Sequence, residues 1–258
     1  MLRNILTLFT VCTFLIFPTA ACGADLETAK SLEILNEVIV TAIIDGDTIE
    51  IGGVRVRYLG IDAPELEEPL YSAAKERNRE LLEGKRINLE VCKGEPRDRY
   101  GRLLAWVYAD GELINLIILR EGYARLLIIA PCGLEKAKTL GTGLQEAIGQ
   151  KVGLWSGIRD IPFQDARHHT GTYARVTGRV ADVYDSGKAL FLNFSQKRDE
   201  GFYAVIFHND LEVFRAAGIE PSGYLGRVVT ITGRIVEYRG RPEIVVESPY
   251  QIEINNKR

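Results

Sequence analysis

Three acids and an arginine, Asp47, Arg57, Asp62 and Glu65, have the types and spacing to act on a phosphate. They lie in the stretch DGDTIEIGGVRVRYLGIDAPE, residues 45–65. Clustered carboxylates repel and raise one another's pKa, so gathering them is costly for stability alone. A divalent cation removes that cost. Asp47 and Asp62 are hard oxygen donors of the kind Ca²⁺ takes, in shells that also admit waters and backbone carbonyls. Two carboxylates leave the shell open, so a substrate phosphate can complete it while Arg57 holds the same phosphate through a fork of N–H donors. Glu65 is then left over as a candidate base. An EF-hand loop starting at Asp45 fails as an alternative, because its twelfth position is Val56 where a bidentate glutamate is needed.

The elements that must position these groups are legible around them. Ile49, Ile51, Val54 and Val56 alternate about Gly52-Gly53, which predicts a β-hairpin with a two-residue turn. Its register follows: Ile51 opposite Val54, Glu50 opposite Arg55, Ile49 opposite Val56 and Thr48 opposite Arg57. Asp47 and Arg57 therefore start as near neighbours. Pro64 stops the second strand and turns Asp62 and Glu65 outward. Val38 to Ile44 reads as a strand buried on both sides, and Asp25 to Asn36 as a helical turn or tether. Leu70 to Leu82 reads as an amphipathic helix, Arg86 to Cys92 and Leu103 to Tyr108 as strands, and Leu113 to Glu121 as a helix. A third helix over Leu134 to Lys151 is weakened by Gly141, Gly143 and Gly149, each costing about 1 kcal/mol relative to alanine.

Asp98-Arg99-Tyr100-Gly101-Arg102, followed by LLAWVYADG and INLIILREGYA, completes a pattern. With DGDT and VRYLGIDAPE in this order and spacing, it closely resembles the staphylococcal (thermo)nuclease family over roughly residues 36–157, closing at Leu154-Trp155-Ser156. The resemblance implies that Asp47 and Asp62 ligate Ca²⁺ by side chain and Ala63 by its backbone carbonyl. It implies that Glu65 orients or deprotonates an attacking water and that Arg57 and Arg102 clamp the phosphate. None of these is substituted, which separates the chain from the family's degenerate, non-catalytic repeats. Arg99 and Tyr100 are candidate substrate contacts. Leu126-Leu127-Ile128-Ile129-Ala130 departs from the pattern, since the family's best-known member carries nucleotide-contacting tyrosines there.

With 258 residues, 46% of them hydrophobic, the chain can bury a sizeable core and fits two small domains. A formal net charge of -3 argues against nucleic-acid affinity from bulk charge, so binding has to come from local arginines and the metal. Residues 1–22 have the layout of a secretory signal: Arg3, an apolar run from Ile5 to Phe17, then small residues. Two cleavage readings stand side by side, a lipoprotein box that makes Cys22 a lipid anchor and an ordinary signal-peptidase site. Either implies an exported protein, secreted, periplasmic or held at the cell envelope. The mature body then keeps Cys92 and Cys132, which in an oxidising compartment invite a disulfide, with two buried thiols as the alternative. By the resemblance, one ends a strand and the other follows the second helix, close enough to bridge.

Residues 158–171 read as a linker, and 172–254 as a second domain in which βββαββ order and the wording VTGRV, AVIF and EYRGRPEIVVESP resemble OB-fold nucleic-acid-binding domains. Tyr173, Arg175 and Arg179 on one strand and Phe191 on the next form a candidate face for stacking bases. Packing of these aromatics beneath a loop or against the first domain is the alternative. The expected fold is thus mostly β with helices (α+β), as two tandem OB-fold five-stranded barrels, the first of staphylococcal-nuclease type. The expected function is a Ca²⁺-dependent nuclease acting on DNA or RNA as a monomer. The rival is a cell-surface module that binds nucleic acid without cutting it.

Overall fold

Gly52 and Gly53 adopt φ of 53° and 83°, the positive pair that a two-residue hairpin turn demands. The turn joins β3 (Thr48–Ile51) to β4 (Val54–Tyr58) in the predicted register, with Thr48 opposite Arg57. Ile49 and Val56 face the core with no exposed surface, which fixes that register, because a slip of one residue would turn both to solvent. The chain then runs through β5 (Gly60–Asp62) to the exposed Glu65 turn.

The computed structural model describes residues 32–197 and 201–255; the expected leader, residues 1–22 with Cys22, lies outside the described residues. Around the hairpin are β1 (Leu32–Ile39), β2 (Ala42–Ile43), α1 (Tyr71–Leu82), β6 (Arg86–Cys92), β7 (Leu103–Ala109) and β8 (Glu112–Leu113). They are followed by α2 (Ile114–Arg120), β9 (Arg125–Leu127) and α3 (Ala137–Gln150). The sheet order is β1-β6-β7-β4-β3-β2, with β8 on β7, and β5 pairs β9 separately. β4 and β7 run parallel, which brings the end of the hairpin beside the start of the strand that follows Arg102.

Two readings of this half are corrected. Val38–Ile44 is not a strand buried on both sides: β1 lies at the sheet edge on β6, bulged between Leu35 and Val38, and Ile39 is 53% exposed. The strand therefore begins inside the stretch read as a helical turn or tether. The third helix is continuous, and two of its glycines are close approaches rather than weaknesses. A Cβ on Gly141 would strike the Tyr250 ring, and one on Gly143 would lie 2.6 Å from Leu116 Cδ1.

The second unit contains β10 (Arg159–Pro162), β11 (Tyr173–Arg179), β12 (Asp182–Asp185), β13 (Ala189–Asn193) and β14 (Tyr203–Phe207). After α4 (Leu211–Ala216) come β15 (Val228–Arg234), β16 (Val236–Tyr238), β17 (Arg241–Val245) and β18 (Ile252–Ile254). They form two sheets, β10-β11-β15-β18 and β12-β13-β14-β17-β16. The chain as described is mixed α and β, mostly strands, with a large apolar core in each unit and a small third cluster of Ala189, Tyr203 and Val205 on the second. The 158–171 stretch is no linker. β10 pairs parallel with β11, and Ile161 and Ala166 enter the second core, because this stretch carries apolar side chains that a solvated tether lacks.

Candidate active site

Arg57 lies at the centre of the site, 9% exposed. Its Nη1 donates to the carbonyls of Tyr58 and Ile61, each at 2.6 Å, and its Nη2 donates to Asp62 Oδ1 at 2.9 Å. Its Nε lies 3.1 Å from Asp47 Oδ1. The two carboxylates thus face a single cation, and one Nη2 N–H is left without a partner among the described residues.

Asp47 is held from both sides. Its Oδ2 accepts the Ala63 N–H at 2.6 Å and its Oδ1 accepts the Thr48 hydroxyl at 3.0 Å. Burial pushes its carboxyl up to about 7; Arg57 and the Ala63 N–H pull it down, while Asp45 and Asp62 raise it further. A buried and a half-exposed acid that repel one another, with one guanidinium between them, suit a hard dication. Among the described residues no group of three or more His, Cys, Asp or Glu side chains converges as a metal cage. Asp47 and Asp62 are hard oxygen donors, and Ca²⁺ fits them in chemistry.

Two helices anchor the hairpin behind these groups. Asn78 on α1, fully buried, accepts the Tyr58 hydroxyl at 2.9 Å and donates to the Asp45 carbonyl at 2.9 Å. Asn115 on α2 accepts from Val107 N and donates to the Leu59 carbonyl at 2.8 Å. Neither asparagine carries a motif, and only their place on apolar helix faces marks them.

Arg102 is aimed by Asp98. Asp98 Oδ2 accepts Arg102 Nε at 2.7 Å, and its Oδ1 accepts the backbone N–H groups of Tyr100 and Arg102 at 2.9 and 3.0 Å. Although partial burial opposes it, these bonds from Arg102 and Tyr100 hold the Asp98 carboxyl below its usual range. Arg57, Asp62, Arg99 and Arg102 line one cleft of about 390 Å³. Its far wall is Leu127, Ile129 and Pro131 together with Cys92 and Cys132, whose sulfurs are bonded at 1.96 Å. Arg102 also lines an adjoining cleft with Glu65, Arg97 and Tyr100. Glu65 is exposed, and among the described residues its carboxylate has no partner. Tyr100 is 68% exposed, with the guanidinium groups of Arg99 and Arg102 over its ring at 4.8 and 5.5 Å.

The expected face on the second unit is not assembled as read. Tyr173 packs edge-on against Trp155 of the first unit, ring centroids 5.7 Å apart, because β11 begins at the junction. Arg175 is spent on Asp160 of β10 and Glu253 of β18, at 2.8 and 3.2 Å. Arg179 donates to the Gly226 carbonyl. Phe191 lies on the other sheet, stacked on Tyr184 and tilted against Tyr203, and the Arg241 guanidinium lies 4.3 Å from the Tyr203 ring centre.

The family model described as Staphylococcal nuclease homologue matches residues 55–157. The chain is 38% identical over 132 residues to the SPbeta prophage-derived endonuclease YokF of Bacillus subtilis (strain 168), covering 47% of this chain and 45% of that one. It is 36% identical over 138 residues to endonuclease YncB of the same organism, 50% of this chain and 65% of that one. To an uncharacterized endonuclease of Escherichia coli O157:H7 it is 35% identical over 137 residues, 50% of this chain and 83% of that one. The chain belongs to the staphylococcal nuclease homologue family. It spans less than two thirds of the two Bacillus relatives.

Proposed function

We propose that the chain is an exported, Ca²⁺-dependent nuclease that hydrolyses phosphodiester bonds of DNA or RNA, leaving 3′-phosphate ends. One observation carries the reading: Arg57 and Asp62 line the same cleft as an Arg102 that is already oriented by Asp98. When held by Asp47, Asp62 and the Ala63 carbonyl, Ca²⁺ supplies Lewis-acid polarisation of the phosphate. The spare Nη2 N–H of Arg57 and the outer N–H groups of Arg102 hold the non-bridging oxygens, where charge grows in the transition state. Glu65, with no competing partner, orients a water and takes its proton as the oxygen attacks phosphorus in line with the departing 5′ oxygen. Arg99 and Tyr100 at the rim meet the strand.

The second unit is read as an OB-type module, and both units as barrels. Support comes from the order β12-β13-β14-β17-β16, from the parallel pairing of β14 with β17, and from β11, which leads into β12, pairing β15, which leads into β16. Its strand-holding face is Tyr184 and Phe191 with Arg241, backed by the buried Tyr203, rather than the β11 residues. Residues 1–22 act as the leader, with Cys22 as lipid anchor or lost on release, and the Cys92–Cys132 bridge is in keeping with an oxidising compartment. The protein works as a monomer.

A plasmid incubated with the protein and resolved on a gel tests this. Nicking and linearisation with Ca²⁺, and intact plasmid with chelator, are expected. Undiminished cutting in chelator refutes the cation assignment, and an intact but retarded plasmid with Ca²⁺ refutes hydrolysis in favour of binding alone.

A further inference from the structure

The turn that carries Glu65 has few holds of its own. Glu65 and Glu67 are exposed, Leu66 is 70% exposed, and Glu67 and Leu70 sit at φ of 78° and 71°. Positive φ is unfavourable for such residues and persists where the surroundings impose it. Within the turn, Glu68 donates its backbone N–H to the Glu65 carbonyl at 2.9 Å, and Glu68 Oε2 accepts the Glu65 N–H at 3.0 Å. The Glu68 carboxylate is therefore the clip that closes the turn.

Arg125 fixes that clip. Its Nη1 and Nη2 lie 3.2 and 3.1 Å from Glu68 Oε2, and its Nη1 lies 3.7 Å from Asp62 Oδ2. The backbone sets this up, since Arg125 on β9 pairs directly with Asp62 on β5. One guanidinium thus braces a carboxylate of the cleft and the closure of the turn beyond it. Arg125 is in turn braced from the second unit. Its guanidinium lies over the Tyr173 ring, 5.8 Å from the ring centre. Tyr173 is itself set edge-on against Trp155, which is 4% exposed. The connection runs from β11 of the second unit, through one aromatic and one arginine, to Asp62 and to the Glu68 clip of the Glu65 turn.

We propose that Arg125 is a positioning residue for Asp62 and the Glu65 turn, and that the second unit holds it in place through Tyr173. The inference rests on the nuclease reading for its catalytic consequence but not for its geometry. It gives the second unit a role in chemistry that does not require it to touch substrate.

Amide hydrogen exchange and steady-state kinetics on the full chain test this together. Arg125→Met removes the brace, and Tyr173→Leu removes the ring that backs it while keeping an apolar side chain there. Exchange across residues 62–68 should quicken about tenfold in Arg125→Met and less in Tyr173→Leu, with β3 and β4 unchanged. The kcat should fall about tenfold with KM within twofold, since small misplacement of reacting groups is costly. Arg125→Lys should recover part of the rate, because it restores the charge without the fork. Unchanged exchange at 62–68 in both variants overturns the inference, as does an equal loss of protection throughout the chain. Quickened exchange in a chain whose wild type cuts no nucleic acid leaves the brace standing and removes the nuclease reading instead.

Discussion

Asp98 makes no contact with the other acids of the site, yet its replacement by asparagine should be felt in the rate. In Asp98→Asn the new amide would keep an Oδ1 acceptor for the Tyr100 and Arg102 backbone N–H groups, so the turn should stay closed. The bond from Arg102 Nε at 2.7 Å would be lost, because an amide nitrogen cannot accept it. Charge-assisted bonds are worth roughly 1.5–3 kcal/mol in buried settings. Asp98 and Arg102 are partly solvated, so the cost to folding should be about 0.5–1 kcal/mol, a fall in Tm of about 1–3 °C. Catalysis should lose more, because Arg102 would have to be re-aimed for each turnover; about 1–2 kcal/mol of lost preorganisation lowers kcat roughly 5–30-fold. Asp98 has a depressed folded-state pKa, so its contribution to stability is present above the unfolded value and lost only as pH falls through the lower folded one. The aspartate is thus ionised through the neutral range, and the asparagine's defect should not depend on pH between about 6 and 8. The decisive assay is a cycle on DNA hydrolysis with Asp98→Asn, Arg102→Ala and the double variant. If Asp98 acts through Arg102, its replacement adds nothing once Arg102 is gone. A double variant slower than Arg102→Ala by the full factor refutes the reasoning.

Arg57→Ala should cost stability as well as rate, because it leaves Asp47 and Asp62 facing each other without their shared cation. The penalty should be roughly 3 kcal/mol, at the low end for a broken buried pair because Asp62 opens to the cleft. A melt showing Tm within about 1 °C of wild type would count against the site's electrostatics. Gly141→Ala should destabilise by about 1–3 kcal/mol through overpacking against Tyr250, although alanine favours a helix by about 1 kcal/mol. A denaturant titration in which this variant is more stable than wild type would show that α3 and Tyr250 do not meet closely.

The hairpin register could be read from sequence because apolar alternation and a Gly-Gly turn leave one pairing that buries Ile49 and Val56. Asp47, Arg57, Asp62 and Glu65 were legible for a related reason, since charged residues at such density have to be either solvated or used, whereas Arg102 came only with the family resemblance. Arg125 was not, since its partners Glu68 and Asp62 are brought to it by the β5–β9 pairing and Tyr173 by docking of the second unit, and neither leaves a local pattern. The glycines of α3 were misjudged by the same blindness. Propensity assigns a glycine its cost within a helix and cannot register a tyrosine more than a hundred residues later that needs the space. The β11 face misled in the opposite way, since alternation correctly separates two sides of a strand but does not say that one side meets Trp155 and the neighbouring strands.

The notch at Gly141 has a bearing on how the molecule could be divided. Gln145 on the same helix donates to the Tyr250 carbonyl at 2.6 Å, so the end of the second unit seats in α3 as a peg in a socket. The family match ends at residue 157, but the surface it defines does not. A truncation at that point would leave the socket open to water, bare the flank of Trp155 and strip Arg125 of its backing. What the sequence comparison marks off as one module is one side of a shared seam, at which Tyr250, Gln145, Trp155 and Tyr173 meet.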